Sequence, residues 1–307
     1  MTLLVLGEHD VRRLLPMDEC IDAMEAALVA LARDEVFNPL RFVIRPPEAP
    51  LMGFMPAYRG GTEPLFSLKE IVIAPGNSAR GLDPHQGAVL LHDGETGELL
   101  ALLNASAITE IRTAAVSAVA TRALARPESR VVTVVGTGIQ GRSHAEAMQV
   151  VFPEAEIRLW GRASGEPIEA ALRDADVVCT CTAAREPIVR REWLAPGAHV
   201  NAVGSSIPST RELDTATMAA ASLFVDRRES TLNESGDYLF AAAEGAIGPE
   251  HIRAEVGEVL VGAHPGRESE DELTVFKSLG LAVEDLAAAE LVVRKARAEG
   301  AGTEIEF

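Results

Sequence analysis

The sequence contains few aromatic residues and far fewer basic than acidic residues. Phe, Tyr and Trp together make up 4% of its 307 residues, which argues against the aromatic stacking platforms that bind single-stranded nucleic acids. Lys and Arg number 28 against 46 Asp and Glu, and the formal net charge of −18 repels phosphate backbones and anionic membranes. Nucleic acids and membrane surfaces are therefore not the expected partners.

Cysteines are also few, and long apolar runs are missing. Cys20, Cys179 and Cys181 cannot make a disulfide framework, which favours a reducing compartment. No apolar run reaches the roughly 18 residues of a transmembrane helix. A signal peptide requires a positively charged segment before its apolar residues, and the N-terminus has no such segment. Zinc-ligand spacing is absent as well. We therefore expect a cytoplasmic protein without a metal site.

What the sequence does contain falls into two patterns, and the first is rich in strands. A helix is predicted over 17–33, where apolar residues recur at helical spacing and Asp18 is the expected N-cap. Short β-type runs follow it, at 41–44, 51–58, 66–73, 87–92 and 99–103. The last two runs flank a hairpin signal at 93–97. An Ala-rich helix is predicted over 105–124.

The second pattern alternates strands with helices, which predicts a parallel α/β sheet of the Rossmann type. Strands are predicted over 131–135, 157–160, 177–182, 199–203 and 223–225. A last helix over 281–298, with no strand expected after it, should pack on the first region. The expected fold is therefore α/β, with a dinucleotide-binding Rossmann domain of residues 119–282. It is inserted into an α+β substrate-binding and dimerisation domain of residues 1–118 and 283–307.

Gly136, Gly138 and Gly141 form a G-x-G-x-x-G motif between a predicted strand and the helix after it. The first glycine permits a tight turn, the second lets the backbone approach a diphosphate, and the third allows close packing of helix and strand. Free N–H groups at the helix N-terminus favour the negative charge. The motif predicts a dinucleotide site, and the alternative is a glycine-rich turn in an ordinary α/β domain.

The residues after the second strand of this domain bear on the choice of nucleotide. An NAD site usually has an acid there for the ribose hydroxyls, whereas this chain continues Gly161-Arg162. Because an arginine suits the 2′-phosphate of NADP, NADP(H) is the preferred cofactor and NAD(H) the second choice. The alternative is that Arg162 is a solvated loop charge. The segment 162–176 has room for one short helix, so the third Rossmann strand is expected to be missing.

Several stretches resemble the ornithine cyclodeaminase/mu-crystallin family, and together they span nearly the whole chain. They are MPAY at 55–58, LK at 68–69, PGNSARG at 75–81, IRTAAVS at 111–117, GTGIQG at 136–141, PGAHVNAVG at 196–204, RELD at 211–214, EVGEVL at 255–260 and TVFKSLG at 274–280. The family includes cyclodeaminases, ketimine reductases, amino-acid dehydrogenases and a non-enzymatic hormone-binding role. The resemblance therefore leaves the reaction open.

By this resemblance, Arg41, Lys69 and Arg112 bind the carboxylate of the substrate, and Lys69 and Arg112 are also expected to be catalytic. An arginine offers a carboxylate a bidentate fork, and a lysine offers it a point charge. Three cations in apolar surroundings need anionic partners. The alternative is that each of them pairs with one of the many acids on the surface.

The resemblance also implies further cofactor-binding residues. Thr113 and Gln140 are expected to face the phosphates, Lys277 to approach the nicotinamide, and His85 to line the cofactor cleft. The alternatives are a loop histidine satisfied by the backbone and, at Lys277, a solvated lysine. The full expected cofactor set is His85, Thr113, Gly136, Gly138, Ile139, Gln140, Gly141, Gly161, Arg162, Ser164, Thr182 and Lys277.

Ser206 is the main departure from the cyclodeaminase pattern. By resemblance, cyclodeaminases and the related alanine dehydrogenases carry an aspartate here as acid/base, whereas the ketimine-reductase members carry serine. A serine hydroxyl gives up its proton too reluctantly to replace a carboxylate as general base. Reduction of a ketimine does not require a general base at this position, because the nitrogen can arrive protonated and hydride goes to the carbon. Ser206 is expected to be catalytic, and the alternative is a loop serine that caps a turn.

The sequence therefore predicts an NAD(P)H-dependent reductase of ketimines that carry an α-carboxylate, such as Δ1-pyrroline-2-carboxylate or Δ1-piperideine-2-carboxylate. The alternatives are an ornithine or lysine cyclodeaminase, an amino-acid dehydrogenase, and a non-enzymatic protein that binds a small ligand together with NADPH. The expected partner is a small imino or amino acid. The family resemblance suggests a homodimer formed through the sheet of the first domain.

Overall fold

The computed structural model describes residues 2–307, apart from the side chain of Ser78. The strands in this range are β1 Thr2–Leu6, β2 Val36–Phe37, β3 Phe42–Ile44, β4 Leu51–Arg59, β5 Leu65–Ile73, β6 His85–Asp93, β7 Leu99–Asn104, β8 Val131–Val135, β9 Glu156–Trp160, β10 Val177–Thr180, β11 His199–Ala202, β12 Ser222–Val225, β13 Ile252–Glu255, β14 Thr274–Lys277 and β15 Thr303–Glu306. The helices are α1 Glu8–Leu14, α2 Met17–Ala32, α3 Ala105–Leu124, α4 Ile139–Val151, α5 Ile168–Leu172, α6 Thr215–Ala220, α7 Arg228–Glu234, α8 Gly236–Ala243, α9 Val256–Leu260 and α10 Ala282–Glu299.

The chain divides into two compact units. Unit 1 runs up to Arg112 and resumes at Leu281–Phe307, and unit 2 is the continuous segment Thr113–Gly280. The first boundary lies inside α3, whereas the sequence placed the change of domain after residue 118. Because α3 is Ala-rich on both sides of the boundary, no local pattern in the sequence marks it.

Unit 1 is a mixed sheet with helices against one face. Its strand order is β15-β1-β7-β6-β5-β4-β2, and β3 also pairs with β4. β1 and β7 run parallel, and the other neighbours run antiparallel. α10 packs on α2 and on β4, β5 and β6. Side chains alternate along β5, so Lys69 belongs to the buried set that also includes Leu65, Ser67 and Ile71.

The structure corrects two predictions made for unit 1. The N-cap of α2 is Pro16, and Asp18 lies in the first turn of the helix, where its charge still complements the helix dipole. The last helix is followed by a strand, since β15 pairs antiparallel with β1. Both of these short strands were missed. Every residue of β15 is exposed, so its sequence carries no buried face to detect.

Unit 2 is a parallel sheet, ordered β13-β12-β14-β11-β10-β8-β9 among the described residues. Its central strands β10, β11 and β14 are buried at every position, as in sheets that are covered on both faces. The predicted α/β class is confirmed, with a parallel sheet in one unit and a largely antiparallel sheet in the other.

β9 forms one edge of the parallel sheet, and no described strand pairs beyond it. The connection from β9 to β10 contains only α5, a helix of five residues, in agreement with the shortness of the sequence there. β14 lies between β11 and β12 and was not predicted. Its four residues are too few to show a period, although they belong to the TVFKSLG stretch at 274–280.

Candidate functional site

The glycine motif of unit 2 connects β8 to α4, as the sequence predicted. Gly136 has a φ angle of +128°, and a Cβ on this residue would lie 2.5 Å from the carbonyl oxygen of Cys181. A Cβ on Gly141 would lie 1.8 Å from the carbonyl oxygen of Gly136. Both residues must therefore be glycine for the turn itself to form.

Gly138 is different, because no atom beyond its own chain neighbours lies within 4 Å of the place its Cβ would take. It is the N-cap of α4, and the first backbone N–H groups of that helix have no acceptor within the helix. Ile139, the next residue, is exposed although it is apolar. Open space in front of a glycine at a helix N-terminus fits the diphosphate of a nicotinamide dinucleotide. The residues present are thus compatible with that cofactor.

The turn after β9 lies beside the glycine motif. A Cβ on Gly161 would lie 2.7 Å from Cγ2 of Thr137, so the two turns are in close contact. Ser164 Oγ accepts a hydrogen bond from the backbone N–H of Gly161 at 2.8 Å. Arg162 is exposed in this turn. The turn therefore presents a guanidinium at the carboxyl end of β9, where the ribose of a bound dinucleotide is expected.

Glu212 joins two loops at the carboxyl edge of the parallel sheet. Its Oε1 accepts hydrogen bonds from the backbone N–H and the hydroxyl of Thr182, at 2.8 and 2.7 Å. Its Oε2 accepts from the hydroxyl of Thr180 and the N–H of Gly204, both at 2.7 Å. The side chain is completely buried, and this burial raises the pKa of the carboxyl group. Sequence analysis gave Glu212 no role, although it lies within the RELD stretch at 211–214.

Lys277 is buried in the parallel sheet and forms an ion pair. Its Nζ lies 3.0 Å from Oδ2 of Asp237, and both side chains are fully buried. Oδ1 of Asp237 accepts hydrogen bonds from the backbone N–H groups of Glu212 and Leu213, at 2.8 and 3.0 Å. Lys277 is therefore not a solvated lysine. In the described contacts of unit 2, it is connected through Asp237 to the segment that contains Glu212.

The remaining predicted site residues lie on several elements. Thr113 is buried on α3, and Gln140 is half-buried in the first turn of α4. His85 begins β6 of unit 1, and its side chain is 48% exposed. Ser206 is half-buried in the loop after β11. In unit 2, the glycine motif, Thr182 and the Ser206 loop all follow the carboxyl ends of strands, which is where parallel α/β sheets bind ligands.

In unit 1, Lys69 and Arg112 lie together against the first turn of α10, and with Asp285 and Glu284 they form a buried ion cluster. Lys69 Nζ lies 2.8 Å from Oδ2 of Asp285. Arg112 donates from Nε to Oδ1 of Asp285 at 3.0 Å and from Nη1 to Oε2 of Glu284 at 2.7 Å. All four side chains are at most 5% exposed. Both cations therefore pair with acids, but these are buried acids of α10 and not acids on the surface.

The buried ion cluster has a strong effect on Lys69. The pKa of the Lys69 ammonium is lowered to about 8, chiefly by burial and also by the positive charges of Arg112 and Arg41, against the opposing effect of Asp285. Arg41 is half-buried and lies just before β3. The structure thus brings all three predicted carboxylate-binding cations into one electrostatic group within unit 1.

Glu284 and Asp285 were not predicted as site residues from the sequence. Both lie in the first turn of α10, where acids are common because they complement the helix dipole. This ordinary explanation hides their role as partners of residues far away in the chain. Their complete burial, which a sequence does not reveal, is what distinguishes them from helix-capping acids.

Two further properties concern the described residues as a whole. No group of three or more His, Cys, Asp or Glu side chains in the described part of the chain is placed to hold a metal ion. None of the helices in residues 2–307 combines the length and apolar character needed to cross a bilayer.

Comparison with known proteins gives matches along the whole length. The model of the ornithine cyclodeaminase/mu-crystallin family matches residues 1–166 and 162–300. A ketimine reductase mu-crystallin from Mus musculus is 42% identical over 294 residues, which cover 89% of this chain and 90% of the mouse protein.

Solved structures agree with these matches. A Δ1-pyrroline-2-carboxylate reductase from Thermococcus litoralis, in complex with NADH and L-proline, has a TM-score of 0.90 and 34% identity, covering 98% of this chain and 100% of that one. An archaeal alanine dehydrogenase dimer with bound NAD has a TM-score of 0.94 and 33% identity, with complete coverage of both chains.

Proposed function

Because this chain belongs to the ornithine cyclodeaminase/mu-crystallin family, we propose that it is an oxidoreductase that reduces ketimines carrying an α-carboxylate. The proposed substrates are cyclic ketimines of the Δ1-pyrroline-2-carboxylate and Δ1-piperideine-2-carboxylate type. The nicotinamide of NAD(P)H supplies the hydride that the imine carbon receives. The observation that carries the proposal is the similarity, over 98% of the chain, to a reductase structure that holds NADH and L-proline.

The buried ion cluster supports a role in binding the substrate carboxylate. Lys69, Arg112 and Arg41 carry three positive charges close together, and Asp285 and Glu284 hold the first two in fixed positions. A fixed cation loses little side-chain entropy when it binds an anion, because its rotamer is already set. In this proposal the carboxylate of the ketimine binds at these cations, which orients the C=N bond.

Ser206 supports reduction over cyclodeamination. Release of ammonia and closure of a ring require several proton transfers, for which a carboxylate is suited and a serine hydroxyl is not. A ketimine that arrives protonated on nitrogen needs no general base to accept hydride on carbon. Ser206 would then orient the imine nitrogen or the nicotinamide amide through a hydrogen bond.

We also propose that NADP(H) is preferred over NAD(H), on the strength of Arg162 in the turn after β9. The bound nucleotides named for the similar structures are NADH and NAD, so the relatives support a nicotinamide cofactor in general. Substitution Arg162→Ala should raise KM for NADPH about tenfold more than KM for NADH, through loss of a charge-assisted hydrogen bond. Equal effects on the two nucleotides would contradict the assignment.

We propose a homodimer that forms through the face of the unit 1 sheet that its helices do not cover. Strand register places Phe37, Phe42, Ile44 and Phe66 on this face, and each is between 43% and 68% exposed. Contiguous apolar surface of this kind marks protein interfaces. The similar alanine dehydrogenase is a dimer. The cytoplasm is the proposed compartment, because the three cysteines are free thiols.

The decisive experiment measures NADPH and NADH consumption with Δ1-pyrroline-2-carboxylate and Δ1-piperideine-2-carboxylate, beside ammonia release from ornithine and lysine. Oxidation of the cofactor with formation of proline or pipecolate is the expected result. Ammonia and proline formed from ornithine without net cofactor turnover would show a cyclodeaminase instead.

A second candidate is an amino-acid dehydrogenase, favoured by the similarity to the alanine dehydrogenase structure. It predicts cofactor reduction when alanine is added with NAD(P)⁺, and reductive amination of pyruvate by free ammonia in the other direction. Tight cofactor binding without turnover of any of these substrates would indicate a non-enzymatic binding protein.

A further inference from the structure

The buried carboxyl group of Glu212 connects two loops at the carboxyl edge of the parallel sheet. Its carboxyl group is the common acceptor for the ends of β10 and β11, through Thr180 and Thr182 on one side and Gly204 on the other. We propose that Glu212 is a positioning residue that sets the relative placement of the Thr182 loop and the Ser206 loop. These loops carry a predicted cofactor contact and a predicted catalytic hydroxyl, so the inference rests on the proposed function.

The backbone of Glu212 is held as firmly as its side chain. Its N–H donates to Oδ1 of Asp237 at 2.8 Å, and its carbonyl oxygen accepts from the N–H groups of Ile188 and Val189 at 2.8 and 3.0 Å. Asp237 is in turn fixed by Lys277. Because these contacts fix the backbone of Glu212, its carboxyl group keeps a constant position between the two loops.

The two loops are packed closely together beside the carboxyl group. A Cβ on Gly204 would lie 2.1 Å from the carbonyl oxygen of Thr182 and 2.6 Å from Oε1 of Glu212. The two loops are therefore in direct backbone contact at Gly204. Ser206 follows this glycine by two residues, so the position of Gly204 limits where its hydroxyl can lie.

The hydrogen-bond pattern requires two acceptor oxygens. Each carboxyl oxygen of Glu212 accepts from one hydroxyl and one backbone N–H. Oε1 accepts both from Thr182, whereas Oε2 accepts from the hydroxyl of Thr180 and the N–H of Gly204. A hydroxyl can turn to accept from an amide nitrogen, but a backbone N–H can only donate. In either orientation, a glutamine at this position would set its NH₂ group against one of the two backbone N–H groups. Glu212→Gln should therefore release one loop while changing almost no volume.

The test compares Glu212→Gln with Thr133→Val in the full-length enzyme. Thr133 is a matched control, because it is also fully buried in the parallel sheet and its hydroxyl donates to the carbonyl oxygen of Ala171 at 2.7 Å. We expect Glu212→Gln to lower kcat/KM for the cyclic ketimine roughly 100-fold, the cost of misplacing reacting groups by about 1 Å. The Kd for NADPH, measured by nucleotide fluorescence, should rise several-fold. Thr133→Val should lower Tm and leave both constants within about twofold of wild type.

Thr180→Val keeps the inference testable if Glu212→Gln fails to fold. Thr180 and Thr133 are both buried threonines whose hydroxyls donate at 2.7 Å, but only Thr180 donates to Glu212. Loss of one of four donors should reduce kcat roughly three- to tenfold and should affect Tm no more than Thr133→Val does. If kcat and the Kd for NADPH in the two threonine variants are alike, Glu212 has only a structural role and the inference is wrong.

The nucleotide-binding measurement also separates this inference from the proposed function. If the wild-type protein binds NADPH but reduces no ketimine, the proposed function fails. The Kd values of the variants then still decide whether Glu212 positions the Thr182 loop.

Discussion

Substitution of Arg112 by methionine tests the carboxylate-binding role against the structural role of the same side chain. Arg112 is 4% exposed and makes hydrogen bonds to both Asp285 and Glu284. Removing one partner of a buried ion pair leaves an uncompensated charge, which costs about 3–5 kcal/mol. At the size of this chain that corresponds to a decrease in Tm of about 10 °C. The single variant therefore loses stability whether or not Arg112 binds substrate.

The double variant Arg112→Met/Glu284→Gln separates the two roles. It removes one positive and one negative charge together, and Asp285 keeps Lys69 as a partner at 2.8 Å. We expect most of the lost Tm to return. If Arg112 binds the ketimine carboxylate, kcat/KM should stay about 10- to 150-fold below wild type, the value of one charge-assisted hydrogen bond.

The assays are thermal unfolding followed by circular dichroism and initial-rate NADPH oxidation well below the Tm of each variant. Arg59→Met is the control for removal of an ion pair with α10, because Arg59 pairs with Glu290 at a half-buried site. It should change stability by less than about 1 kcal/mol and leave kcat/KM unchanged. Recovery of full activity in the double variant would refute the reasoning, since Arg112 would then act only by balancing Glu284 and Asp285.

Three further predictions concern charge, nucleotide and assembly. The pKa of Lys69 is lowered to about 8, chiefly by burial, so its ammonium binds an anion below that pH and loses its charge above it. KM for the ketimine should therefore rise as the pH increases beyond about 8. A KM that stays constant up to about pH 10 would contradict this. Gly138→Ala should keep the wild-type Tm, because its Cβ meets no protein atom, and should raise the Kd for NADPH roughly tenfold by occupying the diphosphate space. Gly141→Ala should instead lower Tm, since its Cβ would clash with the Gly136 carbonyl. Phe66→Glu places a charge on the exposed apolar face and should convert a dimer to monomers in sedimentation experiments, whereas a wild-type protein that is already monomeric would overturn the proposed interface.

The parts of the site that the sequence predicted are local in the chain. The glycine motif connects β8 to α4 within a few residues, so its turn, its helix N-terminus and its open space follow from neighbouring residues. Short β-type runs likewise identified most of the strands of unit 1. These features can be predicted from the sequence because their physical causes lie close together along the chain.

The missed parts depend on partners that are distant in the sequence. Arg112 and Asp285 are separated by 173 residues, and Thr180 and Glu212 by 32. An acid in the first turn of a helix and an acid in a short loop look alike whether they are solvated or buried. Only the fold decides which of them faces a cation or a backbone N–H. The same reason explains why β15 was missed, since its partner β1 is at the other end of the chain.

The construction of unit 1 from two separate segments of the chain has a consequence for biosynthesis. Unit 2 is complete once Gly280 has been translated, whereas Lys69 and Arg112 still lack their partners until α10 follows. Domains generally form as units while the ribosome is still at work, so the Rossmann unit of a nascent chain can fold first. The buried ion cluster of unit 1 is complete only when α10 has been made. A chain released before α10 is made would contain the glycine motif of unit 2 but would leave Lys69 and Arg112 without Asp285 and Glu284.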